Sequence, residues 1–281
     1  MSDLVSPQWL ADRIDDRQIV IADCRFSLAD PELGHQQYLA NHLPNAFYLN
    51  LDGDLSSPVG KVGGRHPLPD PQKLSEKLAA MGVNFGETMV VAYDDTRMAF
   101  AARLWWLLRY FGHDRVAILD GGWTQWQALG YPVTNTLPQP QPGQFSPQLR
   151  SQFVADLETV KKRKDLDSVV LVDSRDRDRF LGEREPIDPV AGHIPGALNY
   201  PWKEVTQESS LVCNEEAQKQ RWSDLEDAEE IVVYCGSGVT ACVNLLSLKL
   251  AGIDNAKLYP GGWSDWCSRD LPIETGETTK P

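Results

Sequence analysis

Residues 230–252 read EIVVYCGSGVTACVNLLSLKLAG, and this stretch decides the fold. The β-branched run EIVVY predicts a buried strand, and the apolar run CVNLLSLKLAG predicts a core helix that ends at Gly252. Between them, Cys235 opens a short loop that has glycines at 236 and 238. A strand, a tight loop and a helix in this order are typical of parallel α/β sheets, which bind ligands at the carboxyl ends of their strands. We therefore expect an α/β fold with Cys235 at the ligand-binding edge of a sheet.

The chain contains the same unit twice. Four landmarks recur in the same order: DCR at 23–25 and DSR at 173–175, NHLPNA at 41–46 and GHIPGA at 192–197, apolar runs ending at Tyr93 and Tyr234, and GGW at 121–123 and 261–263. Strand-like runs alternate with helical periods in both halves, which predicts a parallel sheet covered by helices on both faces. We expect two homologous domains in tandem.

A proline-rich segment separates the two copies. Residues 134–148 read TNTLPQPQPGQFSPQ, with four prolines and no apolar periodicity. Such a composition predicts a semi-rigid linker. The expected boundaries are 1–135 for the first domain, 136–150 for the linker and 151–281 for the second, catalytic domain.

The composition of the chain indicates which partners and which location to expect. The net charge is −13, and no apolar run approaches the roughly 20 residues that cross a bilayer. A chain this acidic repels phosphate backbones and anionic lipid surfaces, so we expect neither nucleic acid nor membrane as a partner. The amino-terminal residues do not read as a secretion signal, and five scattered cysteines without a CxxC pair predict reduced thiols. We expect a cytoplasmic protein that binds no metal.

The loop around Cys235 predicts a nucleophile. A thiolate between a strand end and a helix amino end is stabilised by the helix dipole and by free N–H groups. The two glycines let the loop curl so that its N–H groups converge on an anion. Cysteines 24, 213, 242 and 267 have no such loop around them. The first copy has Asp94 where the second has Cys235, in VVAYDDTRMA, so we expect the first domain to lack the nucleophile.

Three other functions fit parts of the loop. A phosphatase of the Cys-x5-Arg type needs an arginine where Ala241 stands, which excludes it. The segment GSGVTA at 236–241 matches a dinucleotide-binding pattern, but too few residues follow it for the second half of that fold. A noncatalytic sulfur carrier or binding module remains open for a duplicated fold.

The CGSGVTA loop, the GHIPGA segment, the D-x-R at a strand end and the PGGW motif together resemble the tandem-domain rhodaneses. Among these, the loop is most similar to that of the 3-mercaptopyruvate sulfurtransferases. The resemblance implies transfer of sulfane sulfur from 3-mercaptopyruvate, through a persulfide on Cys235, to cyanide, a small thiol or thioredoxin. It implies no cofactor. The alternative is a thiosulfate:cyanide sulfurtransferase, although the cationic residues that follow the cysteine in such enzymes are here Gly236 and Ser237.

The resemblance also assigns substrate-binding residues. It places a substrate arginine at Arg179. The loop itself predicts that the backbone at Gly236, Gly238, Val239 and Thr240 stabilises the transferred sulfur through its N–H groups. The family's second substrate arginine falls on Asp188, which is a departure from the pattern. Arg184, four residues earlier, is the candidate replacement.

A proton relay is implied by the same resemblance. It would consist of Ser237, His66 in GGRHPLP and Asp52 in YLNLDGD. Two of these three residues precede the linker, so the relay would join the two domains. The histidines of the twinned HLPNA and HIPGA segments occur in both copies, as do Arg25 with Arg175 and Trp123 with Trp263. We expect residues that both copies share to support the fold.

Overall fold

The computed structural model describes residues 2–61, 63–139 and 141–278, which divide into two compact units. Unit 1 contains the chain up to Ser57, Leu68–Arg150 and Thr206–Val212. Unit 2 contains Pro58–Pro67, Ser151–Val205 and the chain from Cys213 onward. Each unit therefore includes one short segment from the other half of the sequence, which linear domain boundaries do not anticipate.

Unit 1 is built on a five-stranded parallel sheet in the order β1-β5-β4-β2-β3. Its strands are β1 (Leu4–Val5), β2 (Ile19–Asp23), β3 (Ala46–Tyr48), β4 (Met89–Tyr93) and β5 (Val116–Leu119). Its helices are α1 (Pro7–Ala11), α2 (Leu33–Ala40), α3 (Pro71–Ala80), α4 (Ala101–Tyr110) and α5 (Gly122–Ala128).

Unit 2 repeats the plan on a four-stranded parallel sheet in the order β7-β6-β8-β9. Its strands are β6 (Val169–Asp173), β7 (Leu198–Asn199), β8 (Glu230–Tyr234) and β9 (Ala256–Leu258). Its helices are α6 (Leu157–Arg163), α7 (Arg177–Phe180), α8 (Glu215–Trp222), α9 (Ala241–Leu250) and α10 (Gly262–Trp266). Single 3₁₀ turns lie at Ser151–Phe153, Trp202–Val205, Ser223–Leu225 and Cys267–Arg269. The α/β class and the tandem arrangement are confirmed.

Local sequence chemistry explains where the helices begin and end. The Ser6 hydroxyl accepts the N–H of Trp9 at 3.1 Å, and the Asp70 carboxylate accepts that of Gln72 at 2.8 Å. In each case a proline occupies the first helical position, where no N–H is needed. At the other end, Gly82, Gly112 and Gly252 adopt the positive φ that ends a helix.

The residues shared by both copies are buried in the fold. Arg175 pairs with Asp173 at 2.7 Å and lies 4.7 Å from the centre of the Trp263 ring. The first copy repeats this arrangement with Arg25, Asp23 and Trp123. The twinned histidines are fully buried, and the Nδ1 atoms of His42 and His193 each lie 2.7 Å from a backbone carbonyl oxygen. These contacts support the expected structural role.

Residues 143–145 of the proline-rich segment pack within unit 1. The N–H of Gly143 donates to the Ala79 carbonyl, and the Gln144 carbonyl accepts from Phe85, each at 2.8 Å. Phe145 is buried. Among the described residues, no helix is long and apolar enough to cross a bilayer.

Candidate active site

Cys235 lies directly after β8 and is buried. Its carbonyl accepts the N–H of Trp263 at 2.8 Å, and the carbonyl of Gly236 accepts that of Ser264 at 2.9 Å. Both donors belong to the first turn of α10. The amino end of α10 therefore holds the first two peptide groups of the cysteine loop in place.

The two glycines of the loop serve different purposes. Gly238 has φ 73°, and a Cβ there would lie 2.5 Å from the Pro260 carbonyl oxygen. Gly236 has no positive φ, but a Cβ there would lie 2.8 Å from Nη2 of Arg65 and 3.7 Å from Nη2 of Arg179. Gly238 thus allows the turn, whereas Gly236 lets two guanidinium groups approach the loop.

The first copy shows what this kind of loop binds. Asp94 follows β4 as Cys235 follows β8, and its carbonyl likewise accepts the N–H of a tryptophan, at 2.9 Å. The buried Asp94 carboxylate accepts N–H groups from Thr96, Met98, Phe100 and Ala101 at 2.8–3.0 Å. Burial raises the pKa of Asp94 to about 6, and the hydrogen bonds from Ala101, Thr96 and Phe100 oppose that change. The loop of unit 1 is an anion site filled by its own side chain.

The corresponding N–H groups in unit 2 belong to Ser237, Val239 and Ala241. In the part of the chain that the structure describes, no protein acceptor takes a hydrogen bond from them. The N–H of Cys242, which corresponds to Ala101, instead donates to the Val239 carbonyl. The loop of unit 2 can therefore receive an anion carried by residue 235.

Two members of the expected relay are brought together. Nδ1 of His66 lies 2.7 Å from Oγ of Ser237, and both side chains are buried. Both residues belong to unit 2, because His66 lies in the segment Pro58–Pro67. Asp52 belongs to unit 1 and is exposed, and its backbone N–H donates to Oδ1 of Asn50. The part of Asp52 in the relay stays a prediction.

Arg65 is a site residue that sequence reasoning missed. Its guanidinium lies over Gly236 beside that of Arg179. Burial lowers the pKa of Arg65, Cys235 opposes that change, and the charge of Arg179 adds to it. One feature of the sequence did point to Arg65: it directly precedes His66 in GGRHPLP. A residue next to a relay histidine is expected to lie near the same cysteine loop.

Two carboxylates neutralise these arginines. Glu185 accepts from Nη2 of Arg179 at 2.7 Å and pairs with Arg175 at 3.2 Å. Asp188, which is almost fully buried, pairs with Arg65 and lies 3.4 Å from Nη2 of Arg179. The position at which the resemblance implied a second substrate arginine thus holds a carboxylate that joins two arginines.

Arg184 is not brought to the cysteine loop. Its side chain is 56% exposed and pairs with Asp178 at 2.6 Å. Although Arg184 stands only four residues before Asp188, its side chain lies at the surface in an ion pair and not at the cysteine loop. Arg65 lies where Arg184 was expected to act.

The remaining cysteines lack the surroundings of Cys235. Burial, with nearby carboxylates, raises the pKa of the Cys24 thiol well above its ordinary value, and burial raises that of Cys267. Cys242 is buried in α9, and Cys213 is partly exposed. A raised thiol pKa disfavours the nucleophilic thiolate. Among the described residues, no cluster of His, Cys, Asp or Glu could hold a metal ion.

The family model of the rhodanese-like domain matches residues 6–129 and again residues 156–269. The chain belongs to the rhodanese family, with two rhodanese-like domains in tandem. It is similar over nearly its whole length to curated sulfurtransferases, and it is itself a sulfurtransferase close to the 3-mercaptopyruvate enzymes.

Two curated relatives and one solved structure illustrate this similarity. A Pseudomonas aeruginosa protein named "Probable 3-mercaptopyruvate sulfurtransferase" is 44% identical over 280 residues, 98% of each chain. The 3-mercaptopyruvate sulfurtransferase of Escherichia coli K12 is 34% identical, over 96% of this chain and 97% of that one. The crystal structure of SseA from E. coli superposes with a TM-score of 0.82 at 31% identity, covering 94% of this chain and all of that one.

The two loop glycines are expected to respond differently to alanine. Gly238→Ala should lower the free energy of unfolding by about 2 kcal/mol or more, because it combines a positive φ with a backbone clash. In Gly236→Ala the new Cβ clashes only with the end of the Arg65 side chain, so stability should change by less than about 1 kcal/mol while KM for the donor rises. Denaturant unfolding and steady-state kinetics of both variants test this, and equal losses of stability would contradict it.

Proposed function

We propose that this protein transfers sulfane sulfur from 3-mercaptopyruvate to a thiophilic acceptor through a persulfide on Cys235. The observation that carries the proposal is the set of N–H groups of Ser237, Val239 and Ala241, which have no acceptor among the described residues. The equivalent groups of unit 1 bind the Asp94 carboxylate. An anion on residue 235, such as a persulfide, would take the same place.

In the proposed first half-reaction, the Cys235 thiolate attacks the sulfur of the donor. The new S–S bond forms as the C–S bond breaks, and the electron pair leaves with the enolate of pyruvate. The donor thiol loses one proton and the enolate takes up one proton to give pyruvate, so the half-reaction needs no net proton. We propose that the Ser237 hydroxyl passes this proton, and its contact with Nδ1 of His66 at 2.7 Å supports that role. The loop N–H groups stabilise the persulfide anion, as an oxyanion hole does.

In the second half-reaction, the acceptor attacks the outer sulfur of the persulfide and regenerates the Cys235 thiolate. This double displacement needs no metal or organic cofactor. We propose cyanide, a small thiol or reduced thioredoxin as acceptors, and a cytoplasmic location. The net charge of −13 supports a small molecule or protein as partner, rather than nucleic acid or an anionic membrane.

We propose that Arg65 and Arg179 hold the carboxylate of the donor. Both guanidinium groups approach Gly236, the residue next to the nucleophile. Guanidinium groups bind carboxylates through paired hydrogen bonds, which would aim the C–S bond at Cys235. The names of two of the relatives refer to 3-mercaptopyruvate, which supports it as the donor.

Thiosulfate is the second candidate donor. It is favoured by the two arginines beside the cysteine loop, and by a Mycobacterium tuberculosis relative, 37% identical over 260 residues, whose name refers to thiosulfate. That similarity covers 89% of this chain and 88% of the other.

Steady-state kinetics with cyanide as acceptor distinguish the candidates. We expect parallel double-reciprocal lines, as double displacement requires, and a higher kcat/KM for 3-mercaptopyruvate than for thiosulfate. A higher kcat/KM for thiosulfate would make it the donor. Absence of transfer with either donor would contradict the proposed function and favour a noncatalytic module.

A further inference from the structure

The charged side chains beside the cysteine loop have no net charge as a group. Three arginines and three carboxylates form one connected set of ion pairs: Arg65, Arg175, Arg179, Asp173, Glu185 and Asp188. Asp188 contributes the charge that brings this set to neutrality, and it is the carboxylate that contacts both Arg65 and Arg179. These are also the two arginines that approach Gly236.

We propose that Asp188 is a specificity-determining residue that makes the donor site select monoanions over dianions. The proposal rests on the proposed function, since it concerns the donor that Cys235 attacks. The set has no net charge, but Asp188 accepts from only some of the N–H groups of Arg65 and Arg179, and the other N–H groups of these guanidiniums can hold one carboxylate. The Asp188 carboxylate repels both kinds of donor, and it repels a doubly charged donor such as thiosulfate more strongly than a singly charged one.

The size of the effect depends on donor charge. Coulomb energy is proportional to the charge of the ligand, so one protein charge changes the binding of a dianion twice as much, in free energy, as that of a monoanion. Asp188 is 8% exposed, so water and salt screen its charge weakly. Glu183, in the same loop, is exposed and should have little effect.

The test compares charge-removing and charge-keeping variants with both donors. In Asp188→Asn, kcat/KM should rise about tenfold for thiosulfate and about threefold for 3-mercaptopyruvate, so the ratio of the two shifts toward thiosulfate. Asp188→Ser removes the same charge with a smaller side chain and should shift the ratio in the same direction. Asp188→Glu keeps the charge and should keep the wild-type ratio, even where both values fall.

Glu183→Gln is the matched control, because it removes the same charge from the same loop at an exposed position. It should leave the donor ratio unchanged. Equal fold-changes for the two donors in both charge-removing variants, or an equal shift in Glu183→Gln, would overturn the proposal. Failure of the proposed function is distinguishable, because the wild-type protein would then form no persulfide with either donor.

Discussion

Replacing Cys235 with serine is expected to reduce kcat/KM for sulfur transfer by about 10⁴-fold or more. A serine hydroxyl is not ionised near neutral pH, and an S–O bond in place of the persulfide would not pass sulfur on. The substitution is nearly isosteric at a buried position, so the thermal midpoint should change by only a few degrees. Steady-state rates with 3-mercaptopyruvate and cyanide, with thermal unfolding of the same samples, provide the measurement.

Cys267→Ser is the control for this prediction. Cys267 follows α10, lies only partly buried and has no convergent loop of N–H groups around it. Its variant should retain kcat/KM within about threefold. If Cys235→Ser kept its activity and Cys267→Ser lost it, the nucleophile would have to be assigned to Cys267.

Replacing Arg179 with glutamine is expected to lower kcat/KM for 3-mercaptopyruvate by about 10²- to 10³-fold. The variant loses a cation at the loop and leaves Asp188 and Glu185 with one arginine fewer between them. Their uncompensated charge would repel the donor, so much of the loss should be seen as a higher KM. Initial rates over a wide range of donor concentration separate KM from kcat.

Arg184→Gln supplies the matched control, since it removes an arginine from the same region of the chain. Arg184 is 56% exposed and paired with Asp178, so its loss should leave kcat/KM within about twofold. Similar losses in the two variants would contradict the assignment of Arg179 to the donor.

Much of the fold could be predicted because its signals are local. The strand, loop and helix around Cys235 follow from residues next to one another in sequence, and the helix caps at Ser6 and Asp70 follow from single side chains. The duplication was visible because its landmarks keep their order. The sequence did not show that Pro58–Pro67 belongs to unit 2 and Thr206–Val212 to unit 1, because this depends on tertiary packing.

The site was predicted in part for the same reason. Cys235 and the loop glycines are identifiable from a contiguous motif, and the contact between His66 and Ser237 follows from the family resemblance. The ion pair of Arg65 with Asp188 joins residues distant in sequence and leaves no local pattern. Asp94 was expected only to mark a lost nucleophile. The Asp94 carboxylate accepts hydrogen bonds from the loop N–H groups because of the direction in which the loop backbone turns. The sequence does not specify that direction.

A single-turnover experiment tests the central claim most directly. The protein is mixed with 3-mercaptopyruvate without an acceptor, pyruvate is quantified, and intact mass and peptide mapping locate any added sulfur. We predict close to one pyruvate and one added sulfur atom per chain, mapped to Cys235, with the sulfur lost on addition of cyanide. Added sulfur on another cysteine, or pyruvate release without added sulfur, would contradict the persulfide mechanism.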